Sequence, residues 1–202
     1  MRALISVYDK TGVADFARGL AGLGFELVSS GGTAGHLEDE GLTVTRVEEV
    51  TSAPEMLGGR VKTLHPRIHA GILARRDLQE DVDTLAAHEI EPFDLVCVNL
   101  YPFTSVAGRR GAGEDEVIEM IDVGGPSMLR AAAKNFAHVA AVCRPEQYEP
   151  VLESCARTAS SPESCGARSR TTHSRRRPRT TLRSRGGSAR PSRSRRRSPS
   201  RS

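Results

Sequence analysis

A chain of 202 residues, 38% of them apolar, is long enough for one domain with a true core, and none of its apolar runs approaches the 18 residues of a membrane-spanning helix. The formal charge of +4 conceals two opposed segments. Residues 154–202 hold 15 Arg, no Lys and one acid, Glu163, whereas residues 1–153 hold 14 basic against 24 acidic side chains, a net −10.

Residues 1–153 therefore read as an acidic globular domain. Residues 154–202 carry 13 Ser and only one large aliphatic side chain, Leu182. Such a tail cannot bury enough apolar surface to offset chain entropy, and it is expected to be disordered. The start, Met1 to Val7, meets Asp9 and Lys10 too soon for a signal peptide. Cys97 and Cys143 lie in apolar, strand-like runs, where a thiol is usually a small buried hydrophobe, and Cys155 and Cys165 have no His partners at zinc spacing. A cytoplasmic setting is expected.

Along the chain, Leu4–Val7 reads as a strand, followed by a helix carrying Val13, Phe16, Ala17, Leu20 and Leu23 at helical spacing. Phe25–Val28 is a second strand, Ala34–Glu40 a helix and Leu42–Val47 a third strand. In His65–Leu73 polar and apolar residues alternate as on a strand or an extended loop. Leu78–His88 is a helix. Asp94–Leu100 is a nearly continuous apolar strand, as when both faces are covered. Glu114–Met120 reads as a helix, Pro126 suits the first position of a helix over Ser127–Asn135, Val139–Cys143 is a fifth strand and Pro145–Glu153 a last helix. Strands alternating with helices predict an α/β fold, a doubly wound, mainly parallel five-stranded sheet with helices on both faces. Ligands of such sheets bind outside the carboxyl ends of the strands, and every polar motif of this chain falls at such an end.

The densest motif is Gly58-Gly59-Arg60-Val61-Lys62-Thr63-Leu64-His65-Pro66. It sets a guanidinium, an ammonium, a hydroxyl and an imidazole on a segment opened by glycines, which let a ligand approach the backbone closely. The alternative is a solvated basic loop. Ser29-Ser30-Gly31-Gly32-Thr33 joins a strand end to a helix start, where free N–H groups and the helix dipole favour phosphate; an ordinary capped turn is the other reading. Asp9-Lys10-Thr11-Gly12 has the same geometry and the same alternative. Asn99 can donate and accept together, as recognition of an amide or heterocycle edge requires, and Tyr101 offers a phenol at the same strand exit, although Tyr101 and Phe103 could equally close the core. Asp122 precedes a glycine pair and a helix start. Lys134 follows three turns later, where a lysine commonly complements the helix dipole. His65 and His69 are spaced i, i+4, but Pro66 between them argues against a zinc helix; no metal is expected.

DKTG near the start, SGGTA, PEMLGGRVKTLHPRIHAGIL, NLYPF and IDVGGPSMLRAAAKN occur in one order and at spacings that closely resemble the inosine monophosphate cyclohydrolase domain family of purine biosynthesis, which is methylglyoxal-synthase-like. The resemblance covers residues 2–153. GGRVKTLHP with IDVGG and AAAKN is specific, whereas DKTG and SGGTA also suit other methylglyoxal-synthase-like domains. Tyr8 departs from the family, which often has a smaller residue there, and the formyltransferase half with which the family shares a chain does not follow. The resemblance implies dehydrative closure of a formamidoimidazole carboxamide ribonucleotide to inosine monophosphate. It assigns proton transfer to Lys134, proton management to Tyr101 and Asp122, and polarisation of the reacting carbonyl or carboxamide to Lys62. It implies a 5′-phosphate among Lys10, Ser30, Gly31, Gly32 and Thr33, with Arg60, Thr63 and Asn99 on ribose and base and Tyr8, Asp9, Val61, Val123 and Gly124 along the ligand. No cofactor is implied, and a homodimer is. The competing reading is a non-catalytic nucleotide-binding regulatory module of the same fold; the joint presence of Lys62, Asp122 and Lys134 favours the enzyme.

Three origins fit the tail. It could bind RNA electrostatically and without sequence preference, serve as a linker, or arise from a reading-frame slip in a GC-rich gene, since an Ala-Glu codon pair read one base late gives Pro followed by Arg or Ser. The abrupt change of composition after Glu153 favours the slip.

Overall fold

The computed structural model describes residues 1–99, 113–119 and 121–159. Five strands, β1 (Arg2–Ile5), β2 (Glu26–Ser29), β3 (Thr45–Arg46), β4 (Leu95–Cys97) and β5 (Ala140–Val142), form one sheet in the order β3-β2-β1-β4-β5. Every pairing is parallel, with Ala3 opposite both Leu27 and Leu95. The helices are α1 (Val13–Gly22), α2 (Gly31–Asp39), α3 (Val47–Thr51), α4 (Pro66–Leu73), α5 (Gln79–Ala87), α6 (Glu114–Glu119), α7 (Gly124–Lys134) and α8 (Tyr148–Ala159), with 3-10 turns at Leu57–Gly59 and Pro145–Gln147.

The period of two along each strand sorts the core into two layers. Ala3, Ile5, Leu27, Leu95 and Cys97 face one side, where they meet Val13, Phe16, Ala17 and Leu20 of α1, Leu37 of α2 and Tyr148 of α8. Leu4, Val28, Val96 and Val98 face the other, against Val47 of α3, Ile68 and Ile72 of α4, and Met128, Ala131 and Ala132 of α7. The central strands are thus apolar on both faces because helices cover both. On the first side the Phe16 and Tyr148 rings stack with centroids 4.4 Å apart. Leu152 of α8 fits over Gly19 of α1, where an added Cβ would lie 2.7 Å from its Cδ1.

The doubly wound parallel fold is as expected, while several elements differ from the sequence reading. His65–Leu73 is not extended: Pro66 opens α4, His65 is its N-cap and accepts the Arg67 N–H at Nδ1 over 3.2 Å, and Ile68 and Ile72, one turn apart, reach the core. The third strand is two residues long, because Val47 already opens α3 and turns inward there. Helix α7 starts at Gly124, so Pro126 is its third residue; that position needs no intrahelical N–H either. The last helix runs to Ala159, six residues past the boundary set at residue 153. Tyr101, Phe103 and the remainder of the tail lie outside the described residues.

Candidate functional site

The sheet order reverses between β1 and β4, since β2 lies beyond one and β5 beyond the other. At such a switch point the loops leaving the strands diverge and open a crevice. A cavity of about 570 Å3 lies there, lined by the exits of β1 and β4, the start of α2, the 58–63 segment except Val61, the end of α6, Ile121 and Asp122, and the start of α7. That volume is in the range of small-ligand sites.

Its floor is the turn into α2. Ser30 is the N-cap in extended conformation, and the helix begins with Gly31 at φ +53°. The first N–H groups of a helix have no partner within it, so those of Gly31 and Gly32 are available to an anion. Thr33 lines the cavity but spends its hydroxyl on the fold: it donates to Val7 O over 2.9 Å and accepts the Val7 N–H over 3.1 Å. Lys10 lines the cavity and donates to the carbonyls of Val7 at 3.3 Å and Tyr8 at 3.5 Å. Asn99 holds the loop after β1, accepting the N–H groups of Tyr8 (2.6 Å) and Asp9 (3.1 Å) at Oδ1 and donating to Asp9 O over 2.7 Å. Its amide therefore shapes the wall. Asp9 does not line the cavity. Its carboxylate turns back to accept the hydroxyl (2.7 Å) and N–H (2.9 Å) of Thr11, which hold it below the usual carboxylate range.

The facing wall is the glycine-opened basic segment. Its 3-10 turn carries positive φ at Leu57 (52°), Gly58 (61°) and Gly59 (91°). This reversal delivers Lys62 to the cavity with its side chain only 17% exposed, 2.9 Å from Glu55 Oε2. The ammonium reaches across to α2: a Cβ on Gly31 would lie 2.7 Å from Lys62 Nζ. Arg60 is at the mouth, paired with Glu119 of α6. Thr63 is buried, with Oγ1 2.5 Å from where a Cβ on Gly124 would stand. Val61 departs from expectation: it faces a smaller neighbouring crevice with Met56 and His65, because the turn that points Lys62 inward points its neighbour away.

Asp122 lines the cavity and accepts the Gly125 N–H at Oδ1 over 2.9 Å, which anchors its carboxylate at the start of α7. Val123 and Gly124 line it as well, with Val123 58% exposed. Lys134 is not brought there. It ends α7, whose first residues line the cavity, so the 11-residue helix puts about 15 Å between them, and its side chain is exposed. The regular three-turn spacing that made it conspicuous is also what carries it away. Among the described residues no group of three His, Cys, Asp or Glu is arranged to hold a metal; His65 caps a helix, and burial pushes the His69 imidazole below its ordinary value. Sequence reasoning missed Glu55, Glu119 and the apolar rim of Ile118 and Ile121. Glu55 had one signal, an acid three residues before the glycine pair and seven residues before Lys62.

The family model for the MGS-like domain matches residues 12–127. Among curated proteins, the bifunctional purine biosynthesis protein PurH of Rhodopirellula baltica is 62% identical over 151 residues, which cover 75% of this chain and 29% of that protein. PurH of Pediococcus pentosaceus is 58% identical over 154 residues, covering 76% and 30%. The chain thus spans about three tenths of the length of the curated relatives it matches. Among solved structures, one titled "Crystal structure of ForH" aligns with a TM-score of 0.70 at 38% identity, covering 81% of this chain and 84% of that one.

Proposed function

The chain belongs to the MGS-like domain family, and on that premise we propose that it binds a 5′-phosphorylated imidazole ribonucleotide and closes its second ring to inosine monophosphate. The observation that carries this reading is the meeting of Lys62 with the open start of α2 inside one cavity that also holds Asp122. An N-terminal helix dipole and a lysine together suit a phosphorylated ligand, and a carboxylate nearby adds a proton acceptor. About 60% identity to proteins named for purine biosynthesis supports the same substrate class.

In the proposed reaction the carboxamide nitrogen of 5-formamidoimidazole-4-carboxamide ribonucleotide attacks the formyl carbon. A C–N bond forms and the formyl oxygen becomes a hydroxyl. The C–O bond then breaks as the former formamido N–H gives up its proton and the hydroxyl gains one, so that water departs and the purine ring closes with a C=N bond. Holding both groups of one substrate in register removes most of the entropic barrier. Lys62 stabilises negative charge on the formyl oxygen and supplies its proton. Asp122, fixed by the Gly125 N–H, accepts the proton from the attacking nitrogen. Backbone N–H groups at Gly31 and Gly32 with Lys10 hold the phosphate, and Arg60 and Thr63 border the ribose and base. No step is redox and none makes a carbanion, so the chemistry calls for no cofactor. A homodimer in the cytoplasm completes the proposal.

The test is direct. The chain is incubated with the formylated ribonucleotide and inosine monophosphate is followed by absorbance, with nucleotide and folate binding measured by calorimetry. Turnover and nucleotide binding without formyl-folate binding are expected. Nucleotide binding without turnover would favour the non-catalytic module, and folate binding without nucleotide binding would reject both.

A further inference from the structure

Lys62 is gripped from behind. Its side chain lines both the main cavity and the small crevice beside it, whereas Glu55 lines only the crevice. The Glu55 carboxylate therefore approaches the ammonium from the side away from the ligand, with Oε2 2.9 Å from Nζ. Both partners lean on the same backbone. A Cβ at Gly59 would lie 2.6 Å from Glu55 Oε1, 3.2 Å from Lys62 Cε and 3.3 Å from Lys62 Nζ. The bare Gly59 backbone, at φ +91°, is thus the anvil against which the ion pair closes.

Electrostatics gives the pair a purpose. The ammonium stands over Gly31 at the start of α2, where the helix dipole is positive and repels a cation. Left alone, a flexible lysine stem with four rotatable bonds would swing toward water. Glu55 supplies an opposing charge from outside the ligand cavity, so it can hold Lys62 in place without competing for the ligand. A half-exposed ion pair contributes little to folding; its consequence here is orientation.

We propose that Glu55 is a positioning residue that holds the Lys62 ammonium in the ligand cavity from behind, so that binding and ring closure meet a preset cation. The part concerning ring closure rests on the proposed function; the part concerning Lys62 does not.

The experiment compares wild type with Glu55→Gln and Glu55→Asp in the full chain. The first readout is independent of activity: the rate at which acetic anhydride acylates Lys62, read by mass spectrometry against Lys10 and Lys134 in the same sample. In Glu55→Gln, Lys62 is expected to react several-fold faster while the other two lysines are unchanged, and Glu55→Asp is expected to restore most of the protection. The second readout is kinetic. Glu55→Gln is expected to lower kcat about tenfold or more with KM changed less than about threefold, because a misplaced catalytic group costs rate more than ground-state binding. An unchanged Lys62 rate in Glu55→Gln overturns the proposal. So does a rise shared by all three lysines, which signals loosening of the fold. If wild type closes no ring while the acylation pattern appears as expected, the positioning stands and the reading of the reaction fails.

Discussion

At the scale of single residues, the site turns on where three charged side chains end. Lys62 and Asp122 reach one cavity, while Lys134 ends on the surface at the far end of α7. Lys62→Ala is expected to weaken inosine monophosphate binding and to lower turnover, because one ammonium serves both. Asp122→Asn keeps an acceptor for the Gly125 N–H but removes the proposed base. It should lower turnover by about 10²–10⁴-fold while binding measured by calorimetry changes little. Lys134→Ala should leave both within about threefold, and a hundredfold loss of turnover there would overturn this division of roles. Gly59 gives a further check, because Gly59→Ala strains a left-handed backbone and drives a methyl into Glu55 and Lys62. Nucleotide affinity is expected to fall at least as far as in Lys62→Ala, and affinity near that of wild type would contradict the packing described for the pair.

At the scale of elements, strand and helix identity was legible wherever the apolar period extended over several turns, as in α1, whose Val13, Phe16, Ala17 and Leu20 all reach the core. Helix α4 was not, because His65, Arg67 and His69 alternate with Pro66 and Ile68 and imitate a strand. The decisive cue was local: a residue able to cap, then Pro, with Ile68 and Ile72 four apart. Residue types alone singled out the glycine-opened basic segment and the start of α2, and both line the same cavity. The departures of Asp9 and Val61 from the cavity were not, since a hydrogen bond to Thr11 and one reversed turn decide them. Packing between α1 and α8 carries its own prediction. Tyr148, stacked on Phe16, accepts a contact from Cys97 Sγ at 3.9 Å, and burial pushes the Cys97 thiol up to about 12 and the Tyr148 phenol well above its ordinary value. Both are acids kept neutral by the fold, so the native state retains protons that the unfolded chain releases. The stability they contribute is complete below their unfolded values, 9.0 and 10.0, and is lost as pH climbs through the interval to their folded values. Thermal midpoints should fall steeply above pH 9. Tyr148→Phe, which preserves the ring stack, should flatten that decline, and an equally steep decline in the variant would remove Tyr148 from the explanation.

At the scale of the whole molecule, two boundaries compete for where the folded unit stops. Composition changes after Glu153, but α8 continues to Ala159, with Cys155 packed against the core and Arg157 3.7 Å from Glu153 one turn earlier. A cut after residue 153 removes the partly buried Cys155 and half of α8, whereas a cut after 159 keeps every described packing contact. The loss at 153 is on the order of 1 kcal/mol for a half-buried small side chain, which corresponds to about 2–4 °C in a chain of this size. Residues 1–159 should therefore melt with the full chain, and residues 1–153 should melt a few degrees lower. The same cut after 159 removes 14 Arg and one acid, so it also separates the charge of the tail from the chemistry of the domain. The full chain is expected to be retained on immobilised RNA at low salt and released as salt rises, because binding through arginines is driven by counter-ion release. Residues 1–159 should pass straight through while binding inosine monophosphate as the full chain does. RNA retention by residues 1–159, or a nucleotide affinity that collapses once residues 160–202 are removed, would show that the acidic domain and the basic tail act as one unit.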